Sequence, residues 1–184
     1  MVNTEKTKVG VLLDEIIDAF ADSFVLPKDF LLGEYNRLAA SLALLCPVPD
    51  TTLTVTAENG RIACALTPAQ YRRVFLGERE CLRASAAMLA LLPDFPLYAP
   101  DDNGASVTLD GDYTVYCRAL PEAVSESDAD TTDIATDKRF LPMLRTALMR
   151  SAYLYIGDTD AAKECDALYA RELAAYKKEI GVGE

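Results

Sequence analysis

The chain contains no histidine among its 184 residues. Histidine is the side chain that most often serves as a general base near neutral pH, so neither a Ser-His-Asp triad nor a Cys-His nucleophile pair can be built here. The 29 Asp and Glu residues leave a carboxylate pair of the glycosidase type as a formal alternative. No sequence feature marks two of these carboxylates as buried, and no tryptophan is present to stack on a sugar. We therefore predict a non-enzyme with no catalytic residue, and keep an enzyme based on carboxylates or cysteine as an open alternative.

The cysteines do not have the spacing of a metal site or of a disulfide framework. They lie at positions 46, 64, 81, 117 and 165, with no C-x-x-C pair and no histidine to share a metal. A free cysteine behaves as a small apolar residue and is typical of reduced compartments. We predict reduced, core-packed thiols and no metal.

One acidic motif, Asp128-x-Asp130-x-x-Asp133, partly resembles a calcium-binding loop. Such a loop has glycine at its sixth position, where Asp133 stands, and a bidentate glutamate at its twelfth, where Arg139 stands. We interpret the motif as a solvated linker. Glycine-rich phosphate loops are also absent from the sequence, so we predict no cofactor.

The chain is acidic, with 18 Lys and Arg against 29 Asp and Glu and a net charge of −11. Such a surface repels the phosphate backbone, which argues against tight nucleic-acid binding and is compatible with DNA that only passes by. An ordinary acidic bacterial surface is the alternative interpretation. No run approaches the roughly 18 apolar residues of a membrane span, and acidic residues interrupt any signal-peptide core near the N-terminus. The sequence therefore predicts a cytosolic protein that does not enter membranes.

Apolar residues recur at helical spacing in four long segments. The first runs from near Thr4 to before Pro27, the second along the stripe Leu31 to Leu45, and the third from Leu141 to Tyr155. Gly157 suits the C-terminal cap of the third helix, and Asp158-x-Asp160 reads as capping of the fourth. The buried stripe predicted for this fourth helix consists of Ala162, Cys165, Tyr169, Leu173 and Tyr176.

Between these helices the apolar period changes from 3.6 to 2, which indicates strands. Asn59-Gly60 between alternating segments predicts one β-hairpin, and Asp110-Gly111 predicts a second, in which Val107 and Leu109 face Tyr113, Val115 and Cys117. A further strand is predicted from Val74 to Leu82, broken at Gly77, followed by a short helix from Ser85 to Leu92.

Together these patterns predict one α+β domain over residues 1–184, mostly α. Four long helices, two N-terminal and two C-terminal, flank a central antiparallel β-hairpin region. Residues 122–138 lack periodicity and are rich in acidic side chains, so we expect a mobile acidic loop, and residues 181–184 should form a loose tail. On the third helix, Tyr153 and Tyr155 cannot both face the core, so one of them is expected to be open to a partner.

This arrangement resembles the head–tail connector, or adaptor, proteins of tailed bacteriophages and prophages. The resemblance covers most of the chain, from about Val9 to Lys178. The short segments that carry it are Phe30-Leu31-Leu32-Gly33-Glu34-Tyr35-Asn36, Leu82-Arg83-Ala84-Ser85, Val115-Tyr116-Cys117-Arg118-Ala119-Leu120-Pro121, Ala152-Tyr153-Leu154-Tyr155-Ile156-Gly157-Asp158 and Gly157-Asp158-Thr159-Asp160-Ala161-Ala162.

The resemblance implies a structural protein without an active site, found in the bacterial cytoplasm during assembly and then in the virion. It implies a ring of about a dozen copies, which closes through a heterologous interface, joins the portal protein to tail components and lines a channel through which DNA passes without specific binding. We further hypothesise that the loop 122–138 becomes ordered on assembly and that the segment after Leu173 docks on the portal. The alternative is another interaction module, such as a tail-completion protein or a bacterial scaffold.

Overall fold

The structure, a computed structural model, describes residues 7–46, 49–134 and 140–179. They fall into two compact units: the helical unit, which comprises Met1–Leu42 and Pro121–Glu184, and the sheet unit, Ala43–Leu120. In chain order the elements are α1 (Val9–Phe20), α2 (Lys28–Leu45), β1 (Thr51–Ala57), β2 (Arg61–Ala63), β3 (Tyr71–Leu76), β4 (Arg79–Arg83), α3 (Ala86–Leu91), β5 (Leu97–Asp101), β6 (Gly104–Val107), β7 (Gly111–Cys117), α4 (Leu141–Tyr155) and α5 (Thr159–Glu179). The predicted helix start near Thr4 and the predicted tail 181–184 lie outside the described residues.

The four long helices predicted from the sequence are present, and α1, α4 and α5 belong to the helical unit with most of α2. On α1 the buried side chains recur at helical spacing, as the apolar stripe predicts: Val9, Leu12, Leu13, Ile16 and Phe20. The helix ends at Phe20, before the predicted boundary at Pro27. Residues 21–23 form a turn, and Phe24, which the apolar stripe included, is 50% exposed. On α5 only part of the predicted stripe is buried, namely Ala162 and Tyr176.

The connection between α4 and α5 follows the predicted capping. Gly157 has a positive φ of 82°, and the Asp158 N–H donates to the Tyr153 carbonyl at 2.9 Å, which closes the end of α4. The Asp158 carboxylate then accepts from the Ala161 N–H at 3.0 Å, so it caps the start of α5.

The predicted fold class is wrong for the region between the N-terminal and C-terminal helices. In place of a hairpin region between helices, the sheet unit contains a seven-stranded, nearly closed mixed sheet with the order β1-β7-β3-β4-β5-β6-β2. A short fifth helix, α3, interrupts it. The strand segments were recognisable by their alternation, but alternation does not specify the neighbour of each strand, and three of the six neighbouring pairs join strands that are not consecutive in the chain.

The first predicted hairpin is confirmed only at its turn. Asn59 and Gly60 have φ values of 54° and 72°, as a tight turn between strands requires. Beyond the single bridge between Glu58 and Arg61, however, the two strands separate. Strand β1 pairs with β7, and β2 pairs with β6, both antiparallel.

The second predicted hairpin is wrong. Val107 ends β6 and lies opposite Tyr98 of β5, whereas Tyr113 of β7 lies opposite Val55 of β1 and Leu76 of β3. The segment predicted as one strand broken at Gly77 instead forms the hairpin β3–β4, in which Gly77 has a φ of 57°. A hairpin reverses the chain and lets both halves pair, which a single broken strand would not do.

The inward residues of the sheet form one apolar core. Tyr113, Val115 and Val74 are fully buried, and the Tyr113 hydroxyl donates to the Leu109 carbonyl at 2.6 Å. Gly104 is required by close packing, because a Cβ at this position would lie 2.0 Å from the Ile62 carbonyl oxygen.

Two arginines of the sheet unit bind the carbonyl groups at the end of α2, whose last turn belongs to this unit. Arg72 donates from Nη2 to the Leu44 carbonyl at 2.7 Å and from Nε to the Cys46 carbonyl at 3.2 Å. Arg118 donates from Nε to the Ala43 carbonyl at 3.1 Å and pairs with Asp50 at 3.0 Å. These contacts satisfy carbonyls that have no partner within the helix.

We expect Arg72→Ala to destabilise the protein by about 2–3 kcal/mol, because carbonyls that are screened from water lose charged donors. The change should appear as a lower urea midpoint in an unfolding curve followed by circular dichroism. Arg61→Ala is the matched control, since Arg61 pairs with Asp101 on the exposed surface, and its midpoint should stay close to the wild type. Equal effects of the two substitutions would contradict this role of Arg72.

Candidate interaction surface

Strands β4 and β5 are parallel neighbours, with Leu82 opposite Leu97. Parallel strands cannot be joined by a tight turn, so the chain must cross over between them, and α3 forms this crossover. Three hydrogen bonds anchor its ends: Leu82 N–H to the Pro96 carbonyl and Ala84 N–H to the Tyr98 carbonyl, both at 2.9 Å, and Leu97 N–H to the Thr108 hydroxyl at 3.1 Å. The crossover is therefore fixed at both ends on the sheet.

A crossover helix normally buries one face on its sheet, but no residue of α3 is buried. Large apolar side chains from Leu82 to Phe95 face outward, and we call this set the α3 patch. Its members and their exposed fractions are Leu82 67%, Met88 43%, Leu91 73%, Leu92 37% and Phe95 58%.

The α3 patch is also free of charge over its central part, because Ala84 to Pro93 contains no Lys, Arg, Asp or Glu. In a chain with 26% charged residues, an exposed run of this kind is unusual. Contiguous exposed apolar surface is typical of a binding site for another macromolecule. The sequence predicted the helix from Ser85 to Leu92 but not its exposure, because an apolar segment of this length is typical of a buried helix.

The two tyrosines singled out on α4 lie in different surroundings. The Tyr153 ring packs edge-on against Phe20 with centroids 5.0 Å apart, while Tyr155 contacts Phe30 at 4.6 Å and remains 51% exposed. Leu154 beside it is 45% exposed. The prediction that one tyrosine would face outward is confirmed for Tyr155; a partner for it stays a prediction.

The acidic segment after the sheet unit is hydrogen-bonded along the part that the structure describes. The Val9 N–H donates to the Thr132 carbonyl at 3.0 Å and the Gly10 N–H to the Ala129 carbonyl at 2.8 Å. Backbone carbonyls thus take the place of a side-chain cap at the start of α1. Gly10 permits this approach, because a Cβ there would lie 2.0 Å from the Asp130 carboxylate.

Side chains of the helical unit hold the same segment. Asn36 donates to the Val124 carbonyl at 3.0 Å and accepts from the Val124 N–H at 2.9 Å. Lys8 pairs with Asp133 at 2.6 Å, and Lys28 lies 3.6 Å from Asp130. Mobility of 122–138 stays a prediction, and residues 135–139 lie outside the described residues.

The three aspartates of the calcium-like motif do not converge. Asp128 accepts from the Ser125 hydroxyl, Asp130 faces Lys28, and Asp133 binds Lys8. Lys28 also contacts Asp14 at 2.9 Å, and this hydrogen bond raises the pKa of Lys28. Within residues 7–46, 49–134 and 140–179 no group of His, Cys, Asp or Glu side chains has the arrangement of a metal site.

All five cysteines are free, and they divide by burial. Cys81 and Cys117 lie in the core of the sheet unit, whereas Cys46, Cys64 and Cys165 are half-buried. The prediction that the cysteines pack in the core is therefore confirmed only for Cys81 and Cys117, and their reduced state stays a prediction. Burial raises the pKa of both of these thiols.

No helix in the described part of the chain combines the length and the apolar character that crossing a membrane requires. Neither the scan against protein-family models nor the search of curated proteins finds a match to this chain. Because these comparisons identify no functional residues, the candidate functional surface is chosen from the structure, and it is the exposed apolar α3 patch of the sheet unit.

We expect Asn36→Ala to speed hydrogen exchange of the amides near Val124 by about tenfold, since both backbone groups of Val124 lose a partner. Exchange is measured by mass spectrometry on the native protein. Ser41→Ala, on the exposed side of the same helix, is the control and should leave this segment unchanged. Unaltered exchange in Asn36→Ala would show that the segment is held by other contacts.

We expect a thiol reagent at neutral pH to label Cys46 well before Cys81 and Cys117 in the native protein. Burial blocks access to the two core thiols, and their raised pKa keeps the reactive thiolate fraction low, so that their labelling should quicken as pH rises. Peptide mass spectrometry assigns the labelled sites, and unfolding in urea should equalise them. Early labelling of Cys117 in the native protein would contradict its burial.

Proposed function

We propose that this chain is a structural head–tail connector protein of a tailed phage or prophage, which acts by binding other proteins and not by catalysis. In this role copies of the chain form a ring that joins the portal to the tail. The observation that carries the proposal is the α3 patch, an exposed apolar set whose central part, Ala84 to Pro93, has no charged residue, on a strongly acidic chain. Such a surface costs solubility unless a partner covers it.

The α3 patch has the properties of a binding surface that is formed before its partner arrives. Its ends are fixed by backbone hydrogen bonds to β5 and by the Thr108 hydroxyl. Because little chain has to be ordered on association, less of the binding free energy is lost as entropy. Burying a fully exposed Leu, Met or Phe side chain contributes about 1.5–3 kcal/mol, and covering a patch side chain contributes a fraction of this, because each is 37–73% exposed.

The net charge supports the same proposal. Each chain carries a net charge of −11, and a ring lumen lined by this negative charge would repel DNA phosphates and let DNA pass. The order of elements also supports it, since two N-terminal helices precede the strands and two C-terminal helices follow. The central sheet has seven strands, more than the hairpin region on which the resemblance was based. The α3 patch is therefore the main support for the proposal.

A tail-completion protein or bacterial scaffold would use an apolar surface in the same way, and the partner distinguishes these functions from a connector. We expect the wild-type protein to bind purified portal rings encoded by the same genome, seen as added density by negative-stain imaging and as added mass by native mass spectrometry. Absence of binding to portal rings would overturn the connector proposal.

We expect Leu91→Asp to weaken ring formation on the portal at least about tenfold, because a charge must be desolvated when the patch is covered. Since the Leu91 side chain is 73% exposed, the circular dichroism spectrum and urea midpoint should match the wild type. Leu168→Asp, at an exposed leucine of α5 outside the patch, is the matched control. If both variants bind the portal like the wild type, the α3 patch is not the assembly surface.

A further inference from the structure

The helical unit has its own group of exposed apolar side chains, at the end where α1 and α4 finish and α2 begins. The Phe20 ring lies 5.0 Å from that of Tyr153, and the Phe30 ring lies 4.6 Å from that of Tyr155, measured between centroids. These two contacts bring the three helix ends together. Four large apolar side chains at this end are exposed, and we call them the α1–α4 patch: Phe24 50%, Val25 92%, Leu154 45% and Tyr155 51%.

The backbone on both sides of the α1–α4 patch is anchored. The Phe24 N–H donates to the Phe20 carbonyl at 2.9 Å, and Leu26, which follows Val25, is buried. At the end of α4, the hydrogen bond from the Asp158 N–H to the Tyr153 carbonyl fixes the turn that carries Leu154. The apolar side chains are therefore held outward by a fixed backbone, which lowers the entropy that is lost when a partner binds.

The unpaired charges at this end of the helical unit are negative. Asp18 lies in the last turn of α1, Asp22 follows that helix, and Asp29 lies in the first turn of α2; all three are exposed. Within residues 7–46, 49–134 and 140–179, none of these three carboxylates has an ion pair or a side-chain hydrogen bond.

Two lysines near the same helix ends do not neutralise these carboxylates, because each is bound elsewhere. Lys28 contacts Asp14 at 2.9 Å and Asp130 at 3.6 Å, and Lys163 contacts Asp160 at 2.8 Å.

The helix ends add further negative charge. The C-terminal end of a helix carries a partial negative charge, and Lys or Arg in the last turn usually compensates it. Neither α1 nor α4 has a basic residue in its last turn, and α1 has Asp18 there. The free chain thus leaves negative charge uncompensated beside exposed apolar side chains, and cations from a partner would compensate it.

A second copy of the chain does not match this surface. It has a net charge of −11, so the two copies repel each other as they approach. Cations of the helical unit are also engaged within their own chain, as Arg145 is with Glu15 and Arg150 with Asp166. The charge pattern therefore favours a different, basic partner.

We propose that the α1–α4 patch binds a basic segment of a partner protein, in which apolar side chains are flanked by Lys or Arg. The apolar side chains of that segment cover the patch, and its cations pair with Asp18, Asp22 and Asp29 and with the helix ends. Burial of apolar surface supplies affinity, while the opposite charges steer the encounter and select the partner. This surface belongs to the helical unit, is distinct from the α3 patch and does not depend on the connector proposal.

The test uses the full chain and a synthetic amphipathic peptide with leucine at helical spacing and lysine at the other positions. In the control peptide glutamate replaces every lysine, and the leucines are unchanged. We expect the lysine peptide to bind at least about tenfold more tightly in titration calorimetry, because only its charges are opposite to those around the patch.

Matched variants separate this site from a general attraction between a basic peptide and an acidic protein. Asp18→Asn combined with Asp22→Asn should weaken binding of the lysine peptide at least about tenfold. Asp94→Asn combined with Asp102→Asn, at exposed positions of the sheet unit, removes the same amount of charge and should leave the affinity within about twofold.

A third variant tests the apolar part of the patch at unchanged net charge. Val25→Ser should weaken binding at least about fivefold, because apolar contact area is lost. Since Val25 is 92% exposed, its circular dichroism spectrum should match that of the wild type. Leu168→Ser, at an exposed leucine of α5 outside the patch, is the control and should bind like the wild type.

Three results would overturn the proposal. The first is equal affinity for the lysine and glutamate peptides, and the second is equal loss of binding in the two Asp→Asn pairs, which indicates general attraction only. The third is sedimentation of the peptide-free protein as a dimer that dissociates in Val25→Ser, since a second copy would then occupy the patch.

Discussion

The carbonyl groups that end helix α2 have no partners within the helix, and the sheet unit supplies them through Arg72 and Arg118. Arg72 lies on β3, where the register with β7 shifts between Tyr71 and Arg73, and Arg118 follows β7, so the two side chains connect the end of α2 to these strands. Arg118 exchanges two further hydrogen bonds with Gln70, at 2.9 Å through the backbone and 3.0 Å through the glutamine side chain. Asp50, which precedes β1, is paired to Arg118, so the start of β1 is linked to the end of β7. A slip of one residue would turn their apolar side chains out of the core.

The order of the strands in this sheet determines which apolar side chains remain exposed on its surface. Because β4 and β5 are parallel, the chain must cross over between them, and the crossover carries the α3 patch outward. Because β1 and β2 diverge after one bridge, the sheet stays open at its ends and leaves Leu53 and Val55 partly covered. Both surfaces are consequences of strand order. Neither is marked by a motif in the sequence.

Local chemistry made several elements predictable. The long apolar stripes indicated α1, α2, α4 and α5, Asn59-Gly60 indicated a tight turn, and Gly157 with Asp158 indicated a helix end and a helix start. Each of these depends on residues close together in the chain, which is why the pattern was sufficient. The fold class was nevertheless wrong, because the hairpin at Asp110-Gly111 does not form and Val107 and Tyr113 pair with different strands. For the candidate surface, the helix from Ser85 to Leu92 was predictable, but its exposure was not.

The sequence by itself determined the chemical repertoire and the local elements: it has no imidazole, an acidic charge of −11, four amphipathic helices and a set of alternating segments. Tertiary structure alone decided which strands are neighbours, which apolar residues stay uncovered and which carboxylates meet lysines, such as Asp133 with Lys8. The physical reason is the separation along the chain of the residues that determine each feature. Helix periodicity, caps and turns depend on neighbours within a few residues, whereas pairing and burial depend on segments that the chain brings together from far apart.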